Sequence, residues 1–254
     1  FAAHPEWFRW REGLRRRLLA SQAMTHAKAV ITVSRFSKTE IIRLFDVPDE
    51  RVHVIHHGGP PENPSVSSHE KPAPLILYVG SIFNRRNLPT LIQAFAKVQA
   101  VIPDAQLAIV GADHTYPRQD LKTIVDQHDV GNQVRLYEYV TDNKLSTLYR
   151  QARVFVFLSE YEGFGLPPLE ALSVGVPIIL GDTSVAREIY GDASLFVPHN
   201  NVATIAKTIT TLLRDHVLRS HQQSRATALL PSFSWERSAE NTLAVLENAA
   251  RSGR

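Results

Sequence analysis

The stretch "RVFVFLSEYEGFGLPPLEAL", residues 153–172, decides the fold class of this chain. It opens with a continuous apolar run, passes through a turn containing two glycines, and ends in a helical pattern led by two prolines. Continuous runs of β-branched and aromatic residues are typical of parallel strands buried on both faces. Pro167 and Pro168 suit the first turn of a helix, where their missing N–H groups are not needed. The stretch therefore predicts one strand–turn–helix unit of a parallel sheet.

Similar apolar runs recur along the chain and alternate with helical patterns, such as "NLPTLIQAFAKVQA" (residues 87–100) and "DNKLSTLYRQA" (residues 142–152). Repeated strand–helix units predict an α/β fold with a doubly wound parallel sheet, whose ligand crevice lies at the carboxyl ends of the strands. The predicted strands are residues 29–33, 51–55, 75–80, 106–111, 133–137, 153–158, 176–180 and 194–198.

The domain organisation is predicted from a shift in composition. Residues 59–74 are dense in Pro, Gly and Ser and read as an interdomain linker. Residues 1–58 hold only two predicted strands, too few for a complete sheet, so we expect the end of another α/β domain that begins before Phe1. Residues 75–231 predict one complete Rossmann-like domain. Residues 232–254 predict a C-terminal helix with Ser234 as its N-cap.

Composition excludes several classes of protein. The chain has no cysteine, which removes disulfides and thiolate metal sites and is compatible with a cytoplasmic protein. It has no run of 18 apolar residues that could span a membrane. A net charge of +3 is too small to indicate nucleic acid as a partner.

An arginine-rich amphipathic helix is predicted near the start of the chain. "RWREGLRRR", residues 9–17, carries five arginines, while Trp7, Trp10, Leu14 and Leu18 recur at spacings of three and four. Packing of this helix on its own domain, with a solvated arginine face, is the favoured interpretation. The alternative is that it lies on an anionic membrane surface.

Two carboxylates flank the glycine-rich turn. Glu162 precedes it and Glu170 lies one turn inside the following helix, and both could accept hydrogen bonds from the vicinal hydroxyls of a sugar or a ribose. Gly163 and Gly165 let the backbone turn tightly. The free N–H groups of the helix start would face an anion such as a diphosphate. Alternatively, Glu162 is an ordinary loop residue and Glu170 interacts with the helix dipole.

A second strand end carries positive charge. In "LYVGSIFNRRNLPTL", residues 77–91, the predicted strand ends at Gly80, and Arg85 and Arg86 precede the next helix. The arginine fork matches phosphate oxygens bidentately, although two solvated loop arginines would be the simpler interpretation. Because both motifs end strands of the same predicted sheet, we expect them to meet at its ligand-binding edge.

Four blocks of the sequence resemble a known family in order and spacing: "AVITVSRFSKTEI", "YVGSIFNRRNL", "YVTDNKLSTLYRQARVFVFLSEYEGFGLPPLEAL" and "VPIILGDTSVAREIYGDASLFVPHN". The family is that of the retaining glycosyltransferases of family 4, in the glycogen-synthase-like superfamily, which has two Rossmann-like domains in a GT-B fold. The resemblance implies that residues 75–231 bind a nucleotide-sugar donor and that residues 1–58 end the acceptor-side domain. It also implies that the C-terminal helix crosses back to that domain.

The resemblance implies roles for individual residues. Glu162 would bind the donor sugar at the reacting centre, Glu170 the ribose hydroxyls, and Arg86 the phosphates, so that Glu162 and Arg86 are the expected catalytic residues. The base would lie against the strand end at Tyr139 and Val140. The full set of implied donor-binding residues is Gly80, Ser81, Arg85, Arg86, Tyr139, Val140, Glu162, Gly163, Phe164, Gly165, Leu166 and Glu170.

The chain departs from the family pattern at three positions. Ser81 stands where the family often has arginine, so Arg85 is expected to supply the second positive charge. Arg86 stands where lysine is usual, which keeps the charge but changes its geometry. Glu138 stands where glycine is common, which predicts a base pocket of different shape or selectivity.

The resemblance implies transfer of a hexose, of mannose or glucose type, from a nucleoside diphosphate sugar to a glycan or lipid-linked acceptor in polysaccharide or glycoconjugate biosynthesis. The sequence contains no Asp-x-Asp pair, so we expect neither a metal nor another cofactor. The expected location is the cytoplasm, with the inner face of the cytoplasmic membrane as the alternative. A non-catalytic nucleotide-sugar sensor stays open as a second function. A dinucleotide-dependent oxidoreductase is disfavoured because no Gly-x-Gly-x-x-Gly follows a predicted strand.

Overall fold

The computed structural model describes residues 2–60 and 74–251. The chain divides into two units, which are described separately: Gly59–Pro231 forms one, and Phe1–Gly58 together with Ser232–Arg254 forms the other. The predicted linker, residues 59–74, lies outside the described residues from 61 to 73. The assignment of the two units to donor and acceptor stays a prediction.

The larger unit is built on a parallel sheet of six strands in the order β5-β4-β3-β6-β7-β8. This confirms the parallel α/β fold that the alternating pattern predicts. Along the chain the strands proceed from β3 outward to β5, and then from β6 outward to β8. The strand order therefore reverses between β3 and β6, where open α/β sheets bind ligands. The strands are β3 (Leu75–Val79), β4 (Gln106–Val110), β5 (Val134–Tyr137), β6 (Ala152–Phe157), β7 (Ile178–Gly181) and β8 (Ser194–Val197).

The core of this unit lies in the central strands, whose side chains are buried on both faces. All five residues of β3 are buried, as are most of those of β6, whereas the edge strand β5 exposes Leu136. Helices cover the two faces of the sheet, and α3 packs against α8. The helices of the unit are α3 (Leu88–Gln99), α4 (Leu121–Gln127), α5 (Asp142–Gln151), α6 (Leu166–Ser173), α7 (Ser184–Tyr190), α8 (Val202–Arg214) and α9 (His216–Leu229).

The smaller unit contains two short parallel strands, β1 (Val30–Thr32) and β2 (Val52–Val54), which pair with each other. Its helices are α1 (Trp10–His26), α2 (Arg35–Phe45) and α10 (Trp235–Arg251). The side chain of Ser234 accepts a hydrogen bond from the backbone N–H of Arg237 at 3.2 Å, as an N-cap does.

None of the helices in the described part of the chain is long and apolar enough to cross a membrane.

Candidate active site

The connection from β6 to α6 forms the centre of the candidate site. After the buried strand the chain turns at Gly165, whose φ of +97° lies in the region that favours glycine, and α6 begins at Leu166. Two prolines occupy the first turn of α6, as predicted. Tyr190 is fully buried beneath this turn, and its hydroxyl donates a hydrogen bond to the carbonyl of Gly165. The turn is thus fixed by one tyrosine from α7.

Glu162 is held by two donors that reach the same oxygen. The Nε of Arg86 donates to Glu162 Oε1 at 2.9 Å, and the hydroxyl of Ser159 donates to that oxygen at 2.9 Å. The side chains of Arg86 and Glu162 are only 12% and 17% exposed. Both donors use Oε1, so among residues 2–60 and 74–251 no donor occupies Oε2 of Glu162.

The guanidinium of Arg86 lies across the end of β3. Its Nη1 donates to the carbonyl of Ser81 at 2.7 Å, and its carbon lies 4.9 Å from the centroid of the Phe157 ring. Within the part of the chain that the structure describes, Nη2 has no hydrogen-bond partner. Burial alone would lower the pKa of Arg86, but the nearby Glu162 carboxylate raises it overall, so this arginine keeps its charge.

One backbone hydrogen bond and one side-chain hydrogen bond join the Arg86 loop to the Glu162 loop. The N–H of Glu160 donates to the carbonyl of Arg85 at 3.0 Å, and the side-chain amide of Asn87 donates to the carbonyl of Leu158 at 3.1 Å. Asn87 adopts a left-handed conformation, with φ of 53°, and ends the short helical turn Asn84–Arg86. The ion pair between Arg86 and Glu162 therefore sits on two loops that are tied to each other.

Arg85 takes a different direction from Arg86. Its Nε donates to the carbonyl of Tyr161 at 3.2 Å, and its guanidinium lies 4.2 Å from the centroid of the Phe83 ring. Burial lowers the pKa of Arg85, and the positive charge of Arg86 lowers it further. The Arg85 guanidinium thus supports the backbone of the Glu162 loop, while the Arg86 guanidinium forms the ion pair with Glu162.

Glu170 is held from the neighbouring helix. The hydroxyl of Tyr149, on α5, donates to Glu170 Oε2 at 2.7 Å. Burial raises the pKa of Tyr149, and the Glu170 carboxylate raises it further, so the hydroxyl keeps its proton and remains a donor. Burial also raises the pKa of Tyr190, with further contributions from the negative charges of Glu162 and Glu170.

The predicted site residues fall into three groups. The first extends from the Arg86–Glu162 pair to Glu170, the second lies under the Arg86 side chain, and the third follows β5. Arg85, Arg86 and Glu162 are brought together between β3 and β6, and Gly163, Phe164, Gly165 and Leu166 connect this group to α6 and Glu170. Gly80 and Ser81 lie under the Arg86 side chain.

The third group, Tyr139 and Val140, follows β5, which lies two strands away from β3. Tyr139 is 81% exposed, and no contact among the described residues links it to the Arg86–Glu162 pair. The residues just before it, Tyr137 and Glu138, border a hollow of about 540 Å³ at the carboxyl ends of β4 and β5.

Three residues of the site were not predicted from the sequence. Ser159 stands directly after the apolar run of β6, where its position at a strand end is the only signal. Tyr149 and Tyr190 read as apolar positions of helices, and their contacts with Glu170 and Gly165 cross 21 and 25 residues. No motif in the sequence indicates such contacts.

No group of three or more His, Cys, Asp or Glu side chains among residues 2–60 and 74–251 is arranged to hold a metal ion. The polar groups at the candidate site are arginine, hydroxyl and carboxylate side chains.

The order of the strands and the switch point between β3 and β6 define a doubly wound, Rossmann-like sheet domain. The chain belongs to the family described as "Glycosyl transferases group 1", whose model matches residues 61–228. The model described as "Glycosyltransferase Family 4" matches residues 2–63. The resemblance stated from the sequence is therefore confirmed.

Among curated relatives, the chain is 32% identical over 232 residues to O-antigen chain mannosyltransferase B of Escherichia coli. That alignment covers 87% of this chain and 61% of the relative. It is 29% identical over 181 residues to O-antigen chain mannosyltransferase RfbU of Salmonella typhimurium, covering 71% of this chain and 50% of that protein. The chain thus spans about half to three fifths of the length of these relatives.

Solved structures share the fold at low sequence identity. HepE of Anabaena, solved in complex with UDP and glucose, superposes with a TM-score of 0.82 at 20% identity, covering 98% of this chain and 70% of that one. Sucrose-phosphate synthase from Thermosynechococcus elongatus gives a TM-score of 0.76 at 24% identity, covering 94% and 62%. These likenesses establish the GT-B fold predicted from the sequence.

Proposed function

We propose that this chain carries the donor site of a retaining hexosyltransferase. The enzyme would transfer a sugar of mannose or glucose type from a nucleoside diphosphate donor to the hydroxyl of a glycan or lipid-linked acceptor, in polysaccharide or glycoconjugate biosynthesis. The observation that carries this proposal is the ion pair between Arg86 and Glu162 at the switch point of the sheet. The names of the mannosyltransferase relatives support the sugar class, and the complex of HepE with UDP and glucose supports the donor class.

The diphosphate would be held by positive groups that are already in place. Arg86 has Nη2 available beyond its contacts with Glu162 and Ser81, and Leu166 supplies the N–H that opens α6, since Pro167 and Pro168 have none. Negative charge grows on the diphosphate as the sugar leaves, so donors fixed in advance stabilise the transition state more than the ground state. In this proposal no metal ion or other cofactor is needed.

The reaction balances without a further reagent. The bond between the anomeric carbon and the diphosphate oxygen breaks, and its electron pair leaves with the diphosphate. The acceptor oxygen forms the new bond on the same face of the sugar, and its proton passes to the released nucleoside diphosphate or to solvent. Glu162, with Oε1 fixed by Arg86 and Ser159, would bind the sugar ring beside the anomeric carbon.

The proposal is tested by screening UDP-, GDP- and ADP-sugars for a rise in thermal stability, since a ligand that binds the folded state stabilises it by mass action. The donor that binds is then incubated with the protein, and release of its nucleoside diphosphate is measured with and without EDTA. We expect binding to one base class and release that persists in EDTA. A non-catalytic sensor would bind without release, and loss of release in EDTA would overturn the metal-free part of the proposal.

We also propose a location at the cytoplasmic face of a membrane, through α1. Trp10, Leu14 and Leu18 are exposed and recur every four residues, so they share one face of the helix. Arg11 and Arg17 flank this face and would meet anionic lipid headgroups. The helix would lie on the surface rather than span it.

The location is tested by sedimentation with vesicles of phosphatidylcholine, with and without phosphatidylglycerol. We expect binding only to the anionic vesicles, and its loss on Leu14→Ser. Leu243→Ser is the matched control, because Leu243 is also an exposed leucine on a helix of the same unit. Equal effects of the two substitutions would count against α1.

A further inference from the structure

A single hydrogen bond connects α5 to the second carboxylate of the candidate site. Tyr149 Oη lies 2.7 Å from Glu170 Oε2. The Tyr149 ring is only 5% exposed and stacks on Phe155, with the ring centroids 6.0 Å apart. The hydroxyl is therefore delivered by a ring that has little freedom to move.

The phenolic proton has two nearby acceptors of unequal strength. Besides Glu170, the carbonyl of Pro167 lies 3.4 Å from the Tyr149 hydroxyl. A hydroxyl has one proton to donate, and the shorter bond to a charged oxygen is the stronger one. The Tyr149 hydroxyl therefore donates its proton to Glu170 Oε2 rather than to the carbonyl of Pro167.

The hydrogen bond from Tyr149 fixes the orientation of the Glu170 carboxylate. Oε2 faces Tyr149, and among the described residues no group donates to Oε1. An ionised carboxylate accepts hydrogen bonds through both oxygens, so Oε1 retains its full capacity for donors from a ligand. Two adjacent hydroxyls on a ribose are donors of this kind.

The second buried tyrosine of the site makes a different contact. Tyr190 is buried like Tyr149, but its hydroxyl donates to the backbone carbonyl of Gly165. Removing its hydroxyl would disturb the turn before α6 without releasing Glu170. The chain therefore contains a matched control for the contact between Tyr149 and Glu170.

We propose that Tyr149 is a positioning residue that holds Glu170 with Oε1 toward the 2′- and 3′-hydroxyls of the donor's ribose. This inference rests on the proposed function. The contact would therefore make the site bind a ribonucleotide more tightly than an analogue that lacks both ribose hydroxyls. Without the Tyr149 hydroxyl, the Glu170 side chain can rotate, and this difference in affinity is lost. A contact that only joined α5 to α6 would leave that advantage unchanged.

The test measures two affinities for each variant. The ligands are the ribonucleoside diphosphate that the wild type binds, among UDP, GDP and ADP, and its 2′,3′-dideoxy analogue. We expect the wild type to prefer the ribonucleotide by about tenfold, as for a hydrogen bond to a charged group. In Tyr149→Phe this preference should fall to about twofold or less, while the affinity for the dideoxy analogue stays the same. In Tyr190→Phe the preference should persist, even if both affinities fall.

A double-mutant cycle separates action through Glu170 from a direct contact with the ligand. In a Glu170→Ala background, Tyr149→Phe should cause no further loss of ribonucleotide affinity. Tyr149→Leu provides a second variant should Tyr149→Phe fail to fold, because it also removes the hydroxyl that donates to Glu170 and should lower the preference in the same way.

The outcomes distinguish this inference from the function on which it rests. If the wild type binds a ribonucleoside diphosphate but Tyr149→Phe keeps its preference, or loses affinity equally for both ligands, the positioning role is overturned and the proposed function stands. A further loss in the Glu170→Ala background overturns it as well. If the wild type binds none of the three diphosphates, both proposals fail.

Discussion

Gly80 and Arg86 share one space at the end of β3. A Cβ built on Gly80 would overlap with Nη1 of Arg86, and the glycine has φ of +139°, which side-chain-bearing residues rarely adopt. The guanidinium can lie across the strand end and reach Glu162 because residue 80 has no side chain. The glycine that the sequence places at the strand end is therefore a condition for the ion pair.

Gly80→Ala should displace Arg86 from Glu162. We expect nucleoside diphosphate affinity to fall by roughly tenfold or more, because the charged donor no longer sits at the switch point. Isothermal titration measures the affinity, and thermal unfolding monitors the fold. Gly131→Ala is the matched control, since a Cβ there would meet its nearest neighbour, Asp126, at an ordinary 3.9 Å. Unchanged affinity in folded Gly80→Ala would contradict this account.

Arg86→Ala should weaken the binding of a nucleoside diphosphate far more than that of the bare nucleoside. A hydrogen bond to a charged group contributes about 1.5–3 kcal/mol, which corresponds to roughly a tenfold to hundredfold loss for the diphosphate. The nucleoside lacks phosphates, so its affinity should change little. Arg225→Ala, which removes an exposed arginine of the same unit, should affect neither ligand. Equal losses for both ligands after Arg86→Ala would remove the phosphate-binding role.

The fold and part of the site follow from sequence patterns, and the reason is geometric. Each predicted strand overlaps an observed strand, because a buried parallel strand must be apolar along its whole length. The rule that the carboxyl ends of parallel strands meet at one edge of the sheet also predicts that Arg86 and Glu162 lie close together. That rule gives no side-chain directions. It therefore did not predict that Arg85 turns to the carbonyl of Tyr161 while Arg86 bonds directly to Glu162.

The tyrosines show the limit of pattern reasoning more clearly. Tyr149 satisfies the apolar period of α5 with its ring, and only the tertiary packing decides what its hydroxyl meets. The contact with Glu170 depends on how α5 lies beside α6, which no local spacing encodes. Ser159 is similar, since its bond to Glu162 depends on the shape of a glycine-containing turn.

Ser234→Ala should destabilise the smaller unit through the start of α10. The serine hydroxyl satisfies the N–H of Arg237, and loss of an N-cap typically costs about 1 kcal/mol. Urea unfolding followed by circular dichroism measures the change in the free energy of unfolding. Ser238→Ala is the matched control, because it replaces a serine within the same helix and should be neutral or slightly stabilising. Equal effects of the two substitutions would contradict the capping role.

Glu162→Gln separates an enzyme from a sensor. The substitution keeps the shape of the side chain and its ability to accept hydrogen bonds from Arg86 and Ser159, but removes the negative charge beside the expected position of the sugar. A developing positive charge on the sugar would lose its stabilisation, so release of the nucleoside diphosphate from the donor should fall by about a hundredfold or more. Binding of the nucleoside diphosphate itself should stay within about tenfold, because that ligand lacks the transferred sugar that Glu162 is proposed to bind. Single-turnover assays with saturating protein measure the chemical step apart from affinity.

Glu188→Gln, on α7, is a control for the loss of one carboxylate elsewhere in the same unit and should leave release unchanged. Full release by Glu162→Gln would remove this residue from the reaction, whereas a wild type that binds donor and releases nothing would favour the sensor.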